Sequence, residues 1–560
     1  MHGLSLHIAA TIAQSSERVV LLRSNDRVIW IRMRERSHIM QGFTFVALAA
    51  FCCLASSFTF AVTPDCADAR ILCVGPGFEY DTSNGAEAAF HAASSAVRAG
   101  DSIKIKGGTY RHDKANTSSR DFLLLERSGT ASAPIRVESF DGEMAHLVGY
   151  GFDENATSWP SPSNETIIKM LGDYIELRRV EVSGSTRWGI TVGGNHGLVE
   201  EVVSHDNWGE NIYIYNTGFS GNRITGNHVR NTETYRSKHG SGITVMVSGS
   251  VPRIVSDTII EDNIAYLNGY MTNGAKVPPV NGDPAGGGNS DGIVSSKFCH
   301  TEAAELGVIN ACPRTIMRNN MVWRNADDGF DNSSGDDSYV LDNWSLHNGP
   351  EGNKGFKGLN PVLGKTVYAG NVSVANNSTG MELRMDTYGI VANNLSLGNG
   401  LHGIYVTMTT PDANVSMVAN NVALANNGSR DIYITKTSIP SATNWDGNSD
   451  GNPGYQAVSF SSQINVPNLQ TVADKVVSVR QQLYDMVGLS NNPGLANSLA
   501  DRGTVIPGLH CPQASEPGDD PQSCRAWSGQ APDLGPIEFG MEQTGQTFSR
   551  PKAPIVSILD

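Results

Sequence analysis

The stretch MVWRN at residues 321–325, followed by ADDGFD at 326–331, is repeated one unit later as WSLHN at 344–348 and KGFKG at 354–358. Six segments share the first half of this pattern, a pentapeptide ending in Asn: IAYLN at 264–268, MVWRN, WSLHN, VSVAN at 372–376, LSLGN at 395–399 and VALAN at 422–426. The last five Asn residues are 23, 28, 23 and 27 residues apart. Self-similarity at such a period predicts a stack of structural repeats.

A short strand that mostly begins with Gly follows these pentapeptides, as in DGIVSS at 291–296 and HGIYVT at 402–407. Three earlier segments fit the same template: WGITVG at 188–193, ENIYIY at 210–215 and SGITVM at 241–246. The alternation of a strand predicts that Ile404 and Val406 face inward and that Tyr405 faces outward. No helical periodicity separates the strands, which argues against a sheet with helical crossovers.

Coils of 22–28 residues with recurrent turns predict an all-β fold, a right-handed parallel β-helix (a single-stranded solenoid), in which each coil buries its apolar face against its neighbours. An ordinary β-sandwich is the alternative, and it predicts no repeat in register. Residues 85–99 are predicted to form an amphipathic capping helix before the first strand, SIKIKGGTY. This helix would close the N-terminal end of the core. A second helix-like stretch lies at 468–489.

Composition limits the class of protein further. The 560 residues carry a net charge of −15 but only 17% charged residues, which excludes a highly charged disordered chain. The 59 Gly residues and recurrent Asn-Asn and Asn-Gly pairs are typical of turns between many short strands. A pI near 5.4 argues against non-specific nucleic-acid binding, so no nucleic-acid partner is predicted. The same acidity is unfavourable, at first sight, for binding an acidic polysaccharide.

The N-terminal region contains an uncharged apolar run at 43–62, preceded by three Arg residues, which predicts a secretory signal cleaved near Ala61. A membrane anchor is the alternative, because about twenty apolar residues can span a bilayer. Residues 1–62 carry six Arg and three acidic residues, so the chain without them has a net charge of −18. We therefore predict a secreted, extracellular monomer with no stable membrane association after signal cleavage.

One domain with capping elements is expected, because no sequence feature marks a separate C-terminal module. The predicted division is an extension at 1–39 (mis-assigned or extra, with Met33 or Met40 as the alternative start), a signal peptide at 40–62, a parallel β-helix catalytic domain at 63–450, and C-terminal coils with a capping tail of the same domain at 451–560.

Six cysteines remain once the signal peptide is removed, and they form three close pairs: Cys66/Cys73, Cys299/Cys312 and Cys511/Cys524. An even number of cysteines after an export signal predicts three local disulfides. A zinc site is the alternative, but no CxxC motif or suitably spaced His supports one.

Aligning the strands on their Gly residues places charged residues in rows across neighbouring coils. The residue before Gly is Asp291 in one coil and Asp328 in the next, with Asp327 and Asp331 close by. Equivalent positions on neighbouring coils are about 4.8 Å apart, so four carboxylates crowd together and repel one another unless a cation binds them. Carboxylates in this number suit Ca²⁺, and the lack of His in the cluster argues against zinc. An acidic turn without a metal is the alternative interpretation.

Lys357 falls in the same outward row as Asp331, one coil further on. A Lys beside a carboxylate cluster is usually a plain ion-pair partner. Beside a bound Ca²⁺ it has a second possible role, because a nearby cation disfavours the ammonium form and lowers the pKa towards that of a usable base.

Arg384 lies at an outward position on the following coil, where it either binds a substrate carboxylate or pairs with Glu382 or Asp386. The weaker candidates are Lys297, Lys354 and His402. Of these, we assign Lys297 to substrate binding together with Arg384.

Three motifs in this order, NSDGIVSSKF at 289–298, WRNADDGFD at 323–331 and GNKGFKG at 352–358, resemble polysaccharide lyase family nine, which comprises secreted pectate lyases and exopolygalacturonate lyases. The resemblance covers roughly residues 170 to 435. It implies a catalytic Ca²⁺ held by the Asp of the first motif and the three Asp of the second, which are Asp291, Asp327, Asp328 and Asp331. It also implies that Lys357 is the catalytic base.

The sequence departs from the family pattern at two places. The family typically has GNGFKLGG, whereas this chain has an extra Lys354 before GFK and GLNP after it. The stretch between the first two motifs is also expanded and carries Cys299 and Cys312. Neither departure removes a catalytic residue, although both could reshape the cleft and the substrate preference.

The resemblance implies a calcium-dependent pectate (polygalacturonate) lyase that cleaves an acidic polysaccharide by β-elimination. One alternative is another β-helix enzyme, such as an alginate lyase, an epimerase or a hydrolase with paired carboxylates. The other is a non-catalytic β-helix adhesin, because fold does not imply function. The Asp and Lys rows favour an enzyme, since a rod has no need for them.

Overall fold

The structure is a computed structural model of the chain. It describes residues 17–24, 27–34, 66, 68–113, 121–151, 165–215, 221–232, 240–247, 258–270, 290–297, 315–332, 338–349, 354–359, 365–385, 388–408, 416–435, 441–442, 444–446, 474, 478–479 and 482.

The chain divides into two units. The first comprises Met1–Asp68 and Phe140–Glu143, and its strands Glu17–Ser24 and Arg27–Arg34 pair antiparallel. The second comprises the rest of the chain and holds the repeats. The predicted signal peptide lies outside the described residues, and so does nearly all of the predicted C-terminal tail; both stay predictions. Among the described residues, no helix is long and apolar enough to cross a membrane.

Three long parallel sheets form the second unit, with each coil contributing one strand to each sheet in turn. The described strands of the first sheet are Ile71–Val74, Ser102–Ile105, Ile135–Ser139, Ile175–Arg178, Leu198–Glu200, Arg223–Thr225, Thr258–Glu261, Thr315–Arg318, Ser338–Leu341, Lys365–Ala369, Tyr388–Ala392, Met417–Ala419 and Ser441–Ala442. Those of the second sheet are Gly108–Arg111, Ala145–Val148, Val180–Ser183, Val203–Asn207, His228–Thr232, Ile264–Tyr266, Met321–Trp323, Trp344–Leu346, Val372–Val374, Leu395–Leu397, Val422–Leu424 and Trp445–Asp446. Those of the third sheet are Asp121–Leu125, Thr166–Met170, Trp188–Val192, Ile212–Tyr215, Ile243–Val247, Ile293–Lys297, Phe330–Asn332, Phe356–Leu359, Met381–Met385, Ile404–Met408 and Ile432–Ile434. This arrangement confirms the predicted parallel β-helix.

The register of the third sheet is the one obtained by aligning the Gly residues. One inward residue of each strand stacks on its counterpart, in the order Ile190, Ile212, Ile243, Ile293, Phe330, Phe356, Met381 and Ile404. Each of them follows a Gly except Ile212, which follows Asn211. The rings of Phe330 and Phe356 are parallel, with centroids 4.8 Å apart. Gly is favoured before this stack because the chain passes close to the neighbouring sheet. A Cβ at Gly329 would lie 2.0 Å from Oγ of Ser345.

Buried Asn ladders run along the two turns that flank the second sheet. In the first turn a residue with positive φ, such as Asn319 or Asp342, precedes a buried Asn, such as Asn320 or Asn343. Oδ1 of Asn343 accepts hydrogen bonds from N and Nδ2 of Asn320, and this contact recurs along the ladder. The second ladder consists of the Asn residues that end the repeated pentapeptides: Asn268, Asn325, Asn348, Asn376, Asn399 and Asn426. The Asn residues that recur in the sequence therefore form a hydrogen-bonded ladder in the structure, with one Asn in each coil.

The predicted capping helix is present as α1, Ala86–Ala96. It packs against the first strands of all three sheets, and its Phe90 is fully buried against Tyr110 and Phe122. One expectation was wrong, since α1 does not precede the first strand. Strand Ile71–Val74 comes earlier and pairs with Ser102–Ile105. This strand is only four residues long and includes a disulfide cysteine, so it lacks the pattern of the later coils.

Two further expectations are tested only at a few positions. Cys66 and Cys73 are both disulfide-bonded, as the first predicted pair requires, whereas the other two pairs lie outside the described residues. Within the predicted helix at 468–489, the four described positions are helical. One of them, Val479, is fully buried in an apolar cluster on the outer side of the second sheet.

Candidate active site

The candidate site lies on the outer face of the third sheet, where the strand alternation turns one row of side chains away from the core. In this row Val294, Asp331, Lys357, Glu382 and Tyr405 are direct neighbours on successive coils, as the alignment predicted. The adjacent row, before the Gly residues, contains Asp291 and Asp328. The two rows bring together residues that are distant in sequence, because each coil advances the chain by only about 4.8 Å.

Three buried carboxylates form the centre of the site. Asp291, Asp327 and Asp328 each place a carboxylate oxygen within 4.8 Å of the others, and their exposed fractions are 1%, 7% and 1%. Backbone amides hold two of these groups in place. The N–H of Asp328 donates to Oδ1 of Asp291 at 2.8 Å, and the N–H of Lys354 donates to Oδ1 of Asp328 at 2.6 Å.

The electrostatics of this trio are those of crowded, desolvated acids. Burial raises the pKa of Asp291 well above its usual range, and the neighbouring carboxylates raise it further. Burial, followed by the charge of Asp328, raises the pKa of Asp327 to about 7. Burial also raises the pKa of Asp328, in spite of the nearby Lys357 ammonium. Keeping all three ionised therefore requires added positive charge.

Asp331 and Lys357 complete the cluster. Nζ of Lys357 lies 2.7 Å from Oδ2 of Asp331 and 3.4 Å from Oδ2 of Asp328. Burial alone would lower the pKa of Lys357, but Asp331 and Asp328 outweigh it and hold this pKa well above its usual range. The ammonium form of Lys357 is thus the stable one beside ionised carboxylates.

The chemistry of these donors fits a hard cation. They are carboxylate oxygens without any imidazole or thiolate, which is the ligand set that Ca²⁺ prefers. When all four carboxyls are ionised, their charge exceeds that of the single ammonium, and a divalent cation would balance the excess. The described residues therefore contain an acidic group able to hold a metal ion.

The structure separates the two residues assigned to substrate binding. The guanidinium of Arg384 hydrogen-bonds to Oε1 of Glu382, as one of the two interpretations expected, and its side chain is 59% exposed. It lies one coil beyond Lys357 on the same face. Lys297 ends the strand that follows Asp291, in register with Val247, but its side chain lies outside what the structure describes.

An aromatic group on the same face was not assigned from sequence. Tyr405 and Tyr433 occupy the row of Lys357 three and four strands away from Asp331, and their rings stack with centroids 5.3 Å apart. The ring centroids of His402 and Tyr433 are 5.4 Å apart. The guanidinium carbon of Arg430 lies 5.3 Å from the centroid of the Tyr433 ring. Extending the row alignment to the last coil would have revealed this pair.

The chain is similar to known pectate lyases. No protein-family model matches the chain. The chain is 26% identical over 386 residues to pectate lyase L of Dickeya dadantii (strain 3937), covering 64% of this chain and 74% of that protein. It is also 26% identical over 329 residues to pectate lyase L of Dickeya chrysanthemi, covering 56% of this chain and 61% of that protein. Among solved structures, pectate lyase Pel9A shares 20% identity with a TM-score of 0.47, covering 80% of this chain and 90% of that one.

The fold and the similarity to these relatives together support the predicted class, a polysaccharide lyase built on a parallel β-helix. Within this class the predicted resemblance to pectate lyases is also confirmed, because both curated relatives named above are pectate lyases.

Proposed function

We propose that the chain is a secreted, calcium-dependent lyase that cleaves α-1,4-linked galacturonan by β-elimination. The observation that carries this proposal is the position of Lys357, whose Nζ lies within 3.4 Å of two carboxylates at the edge of a buried acidic trio. An amine beside a cation-binding group meets the two needs of the reaction, a base and positive charge near the substrate carboxylate. The similarity to pectate lyase L supports the same substrate class.

The residues that would hold Ca²⁺ are Asp291, Asp327, Asp328 and Asp331. Their oxygen donors and their burial favour a cation that exchanges its water ligands for carboxylate ligands. When bound, Ca²⁺ supplies positive charge beside the uronate carboxylate and so acidifies the neighbouring C5–H.

Lys357 supplies the base in this proposal. Its neutral amine takes the proton from C5, and the electron pair of that bond forms the C4–C5 double bond. The bond from C4 to the bridging oxygen then breaks, and the leaving oxygen takes a proton from water. The product carries a 4,5-unsaturated uronyl end.

The charge state of Lys357 couples this chemistry to the acidic cluster. Ionised Asp331 and Asp328 hold the proton on the amine and keep the pKa of Lys357 high. Neutralisation of these carboxylates removes that attraction, and burial then favours the neutral amine. Lys357 therefore forms the ion pair with Asp331 in its ammonium form and acts as the base in its neutral form.

The substrate would run along the outer face of the third sheet. Arg384 is exposed and one coil from Lys357, so it is positioned for a uronate carboxylate once it leaves Glu382. Lys297, which ends the strand that follows Asp291, is proposed for the same role. The stacked rings of Tyr405 and Tyr433 offer a flat apolar surface for a sugar ring further along the row.

The net charge of −15 does not oppose an anionic substrate. Part of this acidity is concentrated in the four Asp residues of the site, and a bound divalent cation reverses the local sign. Export is proposed from the apolar run at 43–62, which places the enzyme where a polymeric substrate is accessible.

The test is an assay of the purified protein on polygalacturonate, methylated pectin and alginate, with and without EDTA, followed through the absorbance of the unsaturated product. We expect activity on polygalacturonate that EDTA abolishes and added Ca²⁺ restores. The variant Asp291→Asn should need far more Ca²⁺ for half-maximal activity. The matched variant Asp342→Asn makes the same change at a turn two coils away and should behave like the wild type.

Each contrary outcome removes a defined part of the proposal. Activity that survives chelation removes the calcium requirement. Activity confined to alginate replaces the substrate, and cleavage without an unsaturated product replaces elimination by hydrolysis. No activity on any uronan favours a non-catalytic rod.

A further inference from the structure

A second group of metal-ligating side chains lies on the outer face of the second sheet, away from the acidic cluster. His146 lies on strand Ala145–Val148, Glu181 on Val180–Ser183 and His205 on Val203–Asn207, which are neighbouring strands of three successive coils. The register pairs His146 with Glu181 and Ser183 with His205. Because alternate residues of a strand share a face, all of these side chains lie on the outer side.

The inward neighbours confirm this orientation. Leu147 and Val182 are fully buried in the core, whereas His146 and Glu181 are half-buried at the surface. The side chains of His205 and Glu181 are 11% and 30% exposed. A small ion could therefore reach the group and still be largely shielded from water.

The ligand atoms of the three residues converge. One ring nitrogen from each His and one carboxylate oxygen of Glu181 all lie within 4.8 Å of one another. Nε2 of His205 lies 2.9 Å from Oε1 of Glu181, and the two imidazole centroids are 5.9 Å apart. A tetrahedral ion with bonds of about 2.0–2.2 Å fits among atoms this close after small side-chain rotations.

Neighbouring groups orient both imidazoles. Nδ1 of His205 hydrogen-bonds to the carboxylate of Asp206, which leaves Nε2 as the nitrogen that faces Glu181. Nε2 of His146 lies 2.8 Å from Oγ of Ser183. A carboxylate behind a ligating His is the usual outer support of a metal site, because it fixes the ring and strengthens the donor nitrogen.

We propose that His146, Glu181 and His205 bind one divalent transition ion, of which Zn²⁺ fits best. Two imidazole nitrogens and one carboxylate are typical zinc ligands, and water completes a four-coordinate site. The donor set differs from the all-carboxylate cluster around Asp291, so the two sites select different ions. The bound ion would join three successive coils that are otherwise connected by backbone hydrogen bonds and packing.

This inference does not depend on the proposed catalytic function. The His/Glu group lies on a different sheet from Lys357, and its last member is two coils before the one that carries Asp291. Loss of Zn²⁺ would therefore leave the lyase chemistry intact. Failure of the lyase assay would likewise leave the zinc measurement valid.

The test is a titration of Zn²⁺ alone into the full chain, stripped of metal, free of affinity tags and saturated with Ca²⁺, by isothermal calorimetry. We expect one equivalent of Zn²⁺ and a higher Tm on binding. His205→Gln and His146→Gln should each weaken binding by about a hundredfold or more, and Asp206→Asn by about 10–100-fold. Asp331→Asn, in the acidic cluster, should bind Zn²⁺ as the wild type does.

Co²⁺ provides a second readout that misfolding does not imitate. In the wild type, bound Co²⁺ should absorb visible light with the intensity of a four-coordinate ion. In Glu181→Gln this intensity should be lost. His347→Gln, at a turn on a later coil, is the matched control and should retain both signals. The proposal would be overturned if the wild type did not bind stoichiometric Zn²⁺, or if folded His205→Gln and His146→Gln bound it fully. His205 would then form only a hydrogen-bonded network with Glu181 and Asp206.

Discussion

Lys357 and Asp331 are register partners on neighbouring coils, and Nζ of Lys357 lies 2.7 Å from Oδ2 of Asp331. The third sheet carries another Lys–Asp ion pair, in which Nζ of Lys169 lies 3.3 Å from Oδ2 of Asp121, although these two residues are not register partners. The two pairs differ in their surroundings, because only the Lys357 pair adjoins the buried trio of Asp291, Asp327 and Asp328. This contrast provides a matched experiment on the base.

Lys357→Ala should lower kcat on polygalacturonate by about 10²–10⁴-fold, the usual contribution of a general base. Lys169→Ala removes an ammonium from a comparable Lys–Asp pair on the same face and should leave kcat within a factor of about two. Both variants should give wild-type circular dichroism. The measurement is the initial rate of unsaturated-product formation at saturating substrate and Ca²⁺. A Lys357→Ala variant that keeps more than a tenth of the wild-type rate would exclude Lys357 as the base.

Arg384→Gln should raise KM about tenfold with little change in kcat, because the guanidinium is proposed to contact a substrate carboxylate that does not react. Arg136 offers a matched control, since it is also exposed and forms a surface pair, with Nε of its guanidinium 3.0 Å from Oε2 of Glu176. Arg136 lies on the first sheet, so Arg136→Gln should leave both constants unchanged. An unchanged KM in Arg384→Gln would mean that the pair with Glu382 is its only role.

The fold could be predicted from the sequence because small, polar and turn-forming residues recur in the repeat as well as apolar ones. Alignment on Gly329 and Gly355 gave the register, and the register placed Lys357 beside Asp331. The charge state of Lys357 could not be predicted in this way, because it depends on how far burial and the two carboxylates oppose each other. The group of His146, Glu181 and His205 was also missed, because the Asn-ending pentapeptides that gave the alignment begin only at residue 264.

The Asn residues of the repeat show a different limit. Their recurrence was visible, but a turn preference alone explains an Asn at the end of each pentapeptide. Only the structure shows that Oδ1 and Nδ2 of each residue join neighbouring coils. The Asn period therefore reports buried hydrogen bonds as well as turns.

Asn371→Ala should lower the free energy of unfolding by about 3 kcal/mol, since it leaves buried groups without partners. In the wild type Nδ2 of Asn371 donates to the carbonyl of Val340 at 2.8 Å, and its Oδ1 accepts from the N–H of Asn343 at 3.0 Å. Asn377 is exposed on the same coil, so Asn377→Ala should change stability by less than about 0.5 kcal/mol. Urea unfolding followed by circular dichroism measures both values. Equal midpoints for the two variants would show that the ladder contributes no net stability.

Glu210 makes stability depend on pH in a defined direction. Its side chain is 3% exposed, and within the described part of the chain its Oε2 has no hydrogen-bond partner. Burial raises the pKa of Glu210 to about 7, although a hydrogen bond with Trp188 and the charge of Arg187 act to lower it. Because the folded state binds this proton more tightly than the unfolded chain does, the stabilisation is complete below about pH 4.5 and is lost as the pH rises through 7.

Glu210→Gln is neutral at every pH, so its free energy of unfolding should equal that of the wild type near pH 4 and exceed it by up to about 3 kcal/mol at pH 9. Chemical unfolding across this range measures the difference, with the exposed Glu126→Gln as a control that should follow the wild type throughout. A constant difference between Glu210→Gln and the wild type would show that Glu210 has the same pKa in the folded and unfolded states, and so that its burial does not raise the pKa.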